Sequence, residues 1–247
     1  MSQTFSAVLL YLVLGSATLM VQAQPLIAID NANPPFMYQH QGQPKGLYPM
    51  LLQGVFQRAG ITVEIQAMPW KRALMRGGRG ELGIGGIYKT ASRLAIFDYS
   101  QTIFEEKLIV YVRRGTATSF HALSELYGKR VGVIRGWSYT EALDKALNDG
   151  SIMARASGSD EANFKMLALG RLDAVIAIEL AGQHIVQQLQ LDQVVALQPA
   201  LSINSTHLVF AKQAKQQALL QRFDQSLEAM RADGSLAELL QQGMANP

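Results

Sequence analysis

The chain has 247 residues, of which 49% are apolar and 17% charged, and it contains no cysteine. Disulfides, thiolate metal sites, iron–sulfur clusters and cysteine nucleophiles are therefore excluded together, and the apolar share is that of a chain with a sizeable core rather than a disordered one. With Lys+Arg 22 against Asp+Glu 19 the net charge is only +3, too small an excess to suggest a nucleic-acid partner.

Residues 1–23 carry no Lys, Arg, Asp or Glu, and an apolar run from Ala7 to Val21 ends in Val21-Gln22-Ala23. Small residues at −3 and −1 after such a run predict a secretory signal peptide cleaved before Gln24; a retained N-terminal anchor is the alternative. Beyond it, strand and helix patterns alternate. Leu26–Ile29 predicts a strand, and Asp30-Asn31-Ala32-Asn33-Pro34-Pro35 predicts a turn. A helix follows over 47–59, with Leu51, Leu52, Val55 and Phe56 at core spacing and Gly60 at its end. Next come a strand at Thr62–Gln66, a helix at Trp70–Arg76, a strand at Leu82–Ile87 and a longer extended run at Lys107–Val112.

After Arg113-Arg114-Gly115 the alternation restarts. Strands are predicted at Arg130–Ile134, Ala174–Ile178, Gln193–Leu197 and Thr206–Phe210. Helices are predicted at Tyr139–Leu147, Glu161–Leu169, 180–190, Gln213–Met230 and Leu236–Gln241. Two rounds of alternating elements predict two α/β lobes with largely parallel sheets flanked by helices. A return near Ile203–His207 would let the C-terminal helices pack on the first lobe.

Most chemical motifs fail on context. Gly78-Arg79-Gly80-Glu81-Leu82-Gly83 matches GxGxxG literally, but it ends a helix and leads into a strand, the reverse of a dinucleotide site. Gly85-Gly86-Ile87-Tyr88-Lys89-Thr90 has Tyr where a phosphate loop needs its second glycine, and Gly136-Trp137-Ser138-Tyr139-Thr140 lacks the last glycine of a nucleophile elbow. The four histidines show no metal-ligand spacing, so neither a metal nor a cofactor is expected. Lys71, Arg72, Arg76, Arg79, Lys89 and Arg93 concentrate positive charge between Pro69 and Arg93. A solvated helix face is the ordinary reading of such a run, and a rim drawing anions to a cleft is the functional one.

Gly83-Ile84-Gly85-Gly86-Ile87-Tyr88-Lys89-Thr90-Ala91-Ser92-Arg93, followed by Phe97-Asp98-Tyr99-Ser100, resembles the hallmark of the family 3 extracellular solute-binding proteins. Asp30 through Pro35-Phe36-Met37-Tyr38 resembles that family's first strand and loop, Gly170-Arg171-Leu172-Asp173-Ala174-Val175 its "GRxDAV" segment, and Arg231-Ala232-Asp233-Gly234-Ser235-Leu236 its closing helix. The resemblance implies the type II periplasmic-binding fold. In it, lobe 1 (24–113 and 207–247) and lobe 2 (114–206) are joined by two hinge strands and close on a ligand.

By the same resemblance Arg93 matches the arginine that clamps a ligand carboxylate, a task suited to its planar fork of donors. Gly86 falls where backbone approaches the ligand, and Phe36 lies in the first-strand loop. Trp70, Tyr88 and Trp137 become aromatic walls, with Trp70 alternatively a core residue. The loop Arg135-Gly136-Trp137-Ser138 stands where the family has a Ser-Gly-Thr-Gly-like turn, so Arg135 becomes a second anion contact and Ser138 a neighbour of the ligand. An ungapped match puts Ile178 at the position of the acid that binds a ligand amine, with Glu179 one residue later. Glu179 is thus either the amine partner or an ordinary acid at a helix N-terminus.

The expected protein is a monomeric periplasmic binder of a small carboxylate, an amino acid or related compound, that serves an ABC-type membrane permease. It is not an enzyme. The alternatives are a periplasmic catalyst on the same scaffold, resembling cyclohexadienyl dehydratases, and a ligand-binding sensory partner of a receptor.

Overall fold

A computed structural model describes residues 24–245; the expected signal peptide at 1–23 lies outside the described residues. The first round of elements comprises β1 (Leu26–Asp30), β2 (Ala32–Asn33), β3 (Met37–His40), β4 (Gln43–Lys45), α1 (Leu47–Arg58), β5 (Glu64–Met68) and α2 (Trp70–Gly78). It continues with β6 (Gly83–Tyr88), α3 (Ala91–Leu94), β7 (Phe97–Tyr99) and the long β8 (Phe104–Arg113). The second comprises β9 (Arg130–Ile134), α4 (Glu141–Asn148), β10 (Met153–Ser157), α5 (Asp160–Ala168), β11 (Ala174–Ile178), α6 (Glu179–Gln188), β12 (Val194–Ala196) and the long β13 (Ser202–Ala211). Helices α7 (Gln217–Ala232) and α8 (Ser235–Ala245) close the described chain.

The main sheet runs β10-β9-β11-β8-β13-β6-β1-β5, with β12 added to β8 and β7 to β13. It is parallel in two blocks, β5-β1-β6 and β10-β9-β11. Between them β8 and β13 are antiparallel to each other, in register from Ser202↔Leu108 to Thr206↔Phe104. Beyond that ladder β8 pairs with β11 and β12, while β13 pairs with β6 and β7. This is the expected α/β fold: two lobes, each with a parallel core and flanking helices, bridged by two strands. It places the carboxyl ends of β1, β6 and β9 around one cleft, the usual ligand position in open α/β sheets.

Local chemistry explains the elements. Strands β6 and β11 are buried along their whole length, as expected of parallel strands covered on both faces. Thr140 and Ser159 cap α4 and α5 by accepting from the backbone N–H of Leu143 and Ala162, each cap satisfying one orphan donor. The C-terminal helices return to the first lobe, where Phe223 stacks on Phe56 of α1 at 4.9 Å between ring centroids and Arg58 pairs with Asp233 at 2.7 Å. No helix among the described residues is long and apolar enough to cross a membrane.

Close approach fixes Gly182 in α6. A Cβ there would lie 2.3 Å from Tyr111 Cζ and 2.4 Å from its Oη, and the tyrosine is itself pinned by donating to the Glu179 carbonyl at 2.8 Å. Gly182→Ala should therefore destabilise the protein by roughly 1–3 kcal/mol through overpacking. At roughly 2–4 °C per kcal/mol for a chain of this size, a thermal melt resolves that easily. An unchanged melting temperature would show that the ring swings aside.

Candidate functional site

The cleft narrows to a cavity of about 20 Å³ whose walls come from both lobes. Lobe 1 contributes Met37 of β3, Trp70 at the start of α2, Gly86 and Tyr88 of β6, and Arg93 of α3; Glu106 comes from the bridging strand β8. The second lobe contributes Trp137 and Ser138 from the loop between β9 and α4. An outer groove of about 720 Å³ between α3 and α4 shares Arg93, Trp137 and Ser138 with the cavity.

Gly86 is held at φ +76°, where a Cβ would crowd Met37 and Tyr48 at 3.2–3.3 Å. Gly86 and Tyr88 of β6 line the cavity together with Arg93 of α3. Thr90 caps α3 by accepting from the Arg93 backbone N–H at 3.2 Å, and Arg93 Nη1 donates to the Tyr88 carbonyl at 3.1 Å. Burial lowers the pKa of Arg93, with Tyr99 and Asp144 opposing the shift. Among the described residues it has no carboxylate within ion-pair distance. A partly desolvated guanidinium without a counter-ion favours an anionic guest.

Glu106 is 2% exposed and accepts from both the Tyr48 and the Tyr88 hydroxyls. Burial pushes its pKa up to about 7, with the two hydroxyl donors opposing. Tyr48 Oη also lies 2.9 Å from Thr206 Oγ1, and the Thr206 hydroxyl donates to the Phe104 carbonyl at 3.0 Å. One network thus connects the cavity to both bridging strands.

Asp30, at the carboxyl end of β1, is 4% exposed. Its Oδ2 accepts from Trp137 Nε1 at 2.9 Å, across the cleft, and its Oδ1 from the Ala32 backbone N–H at 3.3 Å. Its pKa is raised by burial, with Trp137 and the backbone donors opposing. Asp160, the first residue of α5, is 3% exposed and leaves Oδ1 without a partner. Burial and then Asp30 push its pKa up to about 7. Asp144 of α4 fixes the second-lobe loop by accepting from the Ser138 hydroxyl and from the Tyr139 backbone N–H.

The structure therefore brings six of the anticipated residues to one cavity: Trp70, Gly86, Tyr88, Arg93, Trp137 and Ser138. Phe36 sits a layer deeper, 1% exposed, its ring 6.0 Å from both Tyr48 and Phe104. Arg135 is exposed and reaches back to the Ala156 carbonyl at 3.4 Å. Glu179 lies off the cavity, 3.7 Å from Lys107 Nζ and 3.5 Å from Gln198 Nε2. In the basic segment Arg72 and Arg79 are exposed and Arg76 is bound by Glu81 at 2.8 Å, a solvated face.

Sequence reasoning missed Glu106. Its signal was strand alternation: Glu106, Leu108, Val110 and Val112 share one buried parity of β8 while Glu105 and Lys107 are exposed. No group of three His, Cys, Asp or Glu among the described residues is arranged to hold a metal ion.

Comparison with known proteins adds four findings. A family model described as bacterial extracellular solute-binding proteins, family 3, matches residues 26–244. The L-cystine-binding protein TcyJ of Escherichia coli is 23% identical over 217 residues, covering 87% of this chain and 80% of TcyJ. Among solved structures, an ancestral arginine-binding protein bound to arginine superposes with a TM-score of 0.77 at 22% identity, covering 90% of this chain and 98% of that one. A histidine kinase sensor domain with similarity to periplasmic binding proteins superposes at 0.79 and 19% identity, covering 89% of this chain and 95% of that one.

Proposed function

The chain belongs to the bacterial extracellular solute-binding proteins, family 3, and from that premise we propose that it captures a small carboxylate-bearing ligand, an amino acid or a related compound, by closure of its two lobes in the periplasm. The β8–β13 ladder, Phe104–Leu108 against Ser202–Thr206, serves as the hinge: lobe 1 holds the described residues before and after it, and lobe 2 holds what lies between, including the part of β8 that pairs with β11 and β12. The closed monomer then presents the ligand to the membrane permease of an ABC-type importer. The observation that carries this reading is Arg93, a cleft cation that pairs with no carboxylate among the described residues, on a segment that resembles the family hallmark.

Trp70 and Tyr88 wall the cavity and Ser138 offers a hydroxyl at its second-lobe side. A ligand amine meets buried acids of the cleft, Glu106 and Asp30, rather than Glu179, which is engaged with Lys107 and Gln198. One unpaired cation beside two buried carboxylates suits a zwitterion better than a simple dicarboxylate. Ligand binding shifts the protein toward the closed form by its differential affinity for that form. The curated relatives are binding proteins, and we assign no reaction.

A thermal-shift screen tests the reading. The panel contains the L-amino acids, with cystine and arginine among them, amine-free carboxylates and polyamines. A compound at 100 times its Kd adds about 2.7 kcal/mol, which is roughly 5–10 °C here. At least one L-amino acid should give such a shift. Silence across the whole panel would refute capture of a small carboxylate.

A further inference from the structure

Arg93 borders both the outer groove of about 720 Å³ and the inner cavity of about 20 Å³, and the inner cavity, where Trp70, Gly86, Tyr88 and Glu106 also converge, has space for about one water molecule and far too little for an amino acid. The space is taken by the protein itself. Ile134-Arg135-Gly136-Trp137 forms a tight turn, closed by the Trp137 backbone N–H donating to the Ile134 carbonyl at 3.2 Å with Gly136 at φ +83°. A left-handed residue at that third position is the mark of a type II turn. The turn abuts the first lobe, since a Cβ on Gly136 would lie 3.9 Å from Lys71 Cβ and 4.0 Å from Trp70 Cδ1. It thereby delivers the Trp137 indole into the cleft, where Nε1 donates to Asp30 Oδ2 of the opposite lobe at 2.9 Å. Asp30 is buried and, among the described residues, has no cationic partner. Among the described residues the indole N–H is the one side-chain donor it receives.

We propose that Trp137 is a built-in occupant of the binding cavity, held by Asp30, so that ligand entry displaces the indole instead of stacking against it. The inference rests on the proposed function only for what does the displacing. A buried carboxylate that loses its donor is strongly disfavoured, so the incoming ligand must bring an N–H donor of its own, an ammonium, amide or guanidinium, for Asp30. Self-occupancy also lowers apparent affinity, because only the fraction of molecules with the indole withdrawn is competent to bind. Compounds offering a carboxylate to Arg93 but no N–H donor are then poor ligands.

The chain has two tryptophans, and both line this cavity, so Trp70→Phe leaves Trp137 as the sole fluorophore. In the ligand-free protein, acrylamide should quench Trp137 several-fold less than it quenches a free tryptophan amide. Asp30→Ala in that background should at least double the quenching constant, whereas Asp30→Asn, which keeps a carbonyl acceptor, should leave it nearly unchanged. Quenching equal to that of the free amide, or insensitive to Asp30→Ala, overturns the proposal. Should Trp70→Phe not fold, small-angle scattering of Trp137→Phe in the otherwise unaltered chain decides: losing the bond by which Asp30 holds Trp137 across the lobes should raise the ligand-free radius of gyration, and an identical radius refutes that hold and the proposal with it. L-arginine and L-cystine serve as displacing probes, and a bound probe that leaves Trp137 equally or better protected also overturns displacement. The ligand-free readings need no ligand, so a panel that fails to bind would overturn the proposed function while quenching alone decides the place of the indole.

Discussion

Arg93→Ala is expected to weaken ligand binding at least a hundredfold, about 3 kcal/mol, while leaving the melting temperature within a few degrees of the parent. The two halves of that result follow from different observations. In the folded protein the side chain makes one hydrogen bond, Nη1 to the Tyr88 carbonyl at 3.1 Å, on a residue that is half-buried and pairs with no acid among the described residues. Losing such a bond costs about 0.5–1.5 kcal/mol. A bound carboxylate that loses its only charged donor in a desolvated cleft loses far more, about 2–5 kcal/mol. Arg93→Lys keeps the charge but not the two-pronged geometry, so it should fall between, at roughly tenfold. Isothermal titration with the best compound from the screen, paired with thermal melts of both variants, separates the roles. A large fall in melting temperature with unchanged affinity would mean that Arg93 holds the α3 turn and not the ligand.

The fold was legible where side chains report their own surroundings. Ala174–Ile178 is predicted and observed to the residue, because a strand buried on both faces is a continuous apolar run. The strand Met153–Ser157 was missed because it is an edge: Met-Ala-Arg-Ala-Ser is largely exposed and carries no alternation. Of the small sheet β2-β3-β4, only β2 falls in the predicted turn at 30–35 and the other two strands carry no prediction, because Pro34, Pro35, Pro44 and the polar residues around them hide a hairpin. Strand β5 is displaced by two residues from the predicted Thr62–Gln66, since its pairing with Leu26–Asp30 selects Glu64–Met68 over the β-branched Thr62 and Val63. Propensity yields there to tertiary register. The bridging strands β8 and β13 extend beyond the predicted runs for the same reason: Phe104–Glu106 and Ser202–Ser205, the residues added at their starts, lie in the ladder between the two strands.

For the site, the motif around Arg93 and the odd loop at Trp137 were legible as types and positions. Direction was not. Arg135 and Trp137 are two residues apart in one turn, yet the first points to solvent and the second into the cleft, and only the turn geometry distinguishes them. Glu179 begins a helix, so its side chain leaves the line of β11 and meets Lys107 instead of the cavity. Asp160 reads in sequence as an ordinary acid at a helix N-terminus, and nothing in that pattern announces that packing will bury it to 3% exposure.

Those buried acids imply a second large effect: the protein should lose stability as the pH rises from about 4 to about 7. Glu106 and Asp160 are both pushed up to about 7, chiefly by burial, whereas in the unfolded chain such groups titrate near 4. Between those values the native state holds protons that the unfolded state has released. Stability therefore falls with rising pH across the window and levels off above it. Each fully developed difference of this size is worth roughly 3–4 kcal/mol at 1.36 kcal/mol per pKa unit. Glu106→Gln and Asp160→Asn remove the titration, so each should raise stability at pH 8 by up to a few kcal/mol relative to its effect at pH 5. At pH 5 the parent carboxyls are already neutral. Urea unfolding of the parent and both variants at the two pH values measures the difference, and an equal effect at pH 5 and pH 8 would refute the assignment. Part of the upward shift of Asp160 comes from Asp30, so removing the Asp30 charge should lower the pH at which Asp160 ionises.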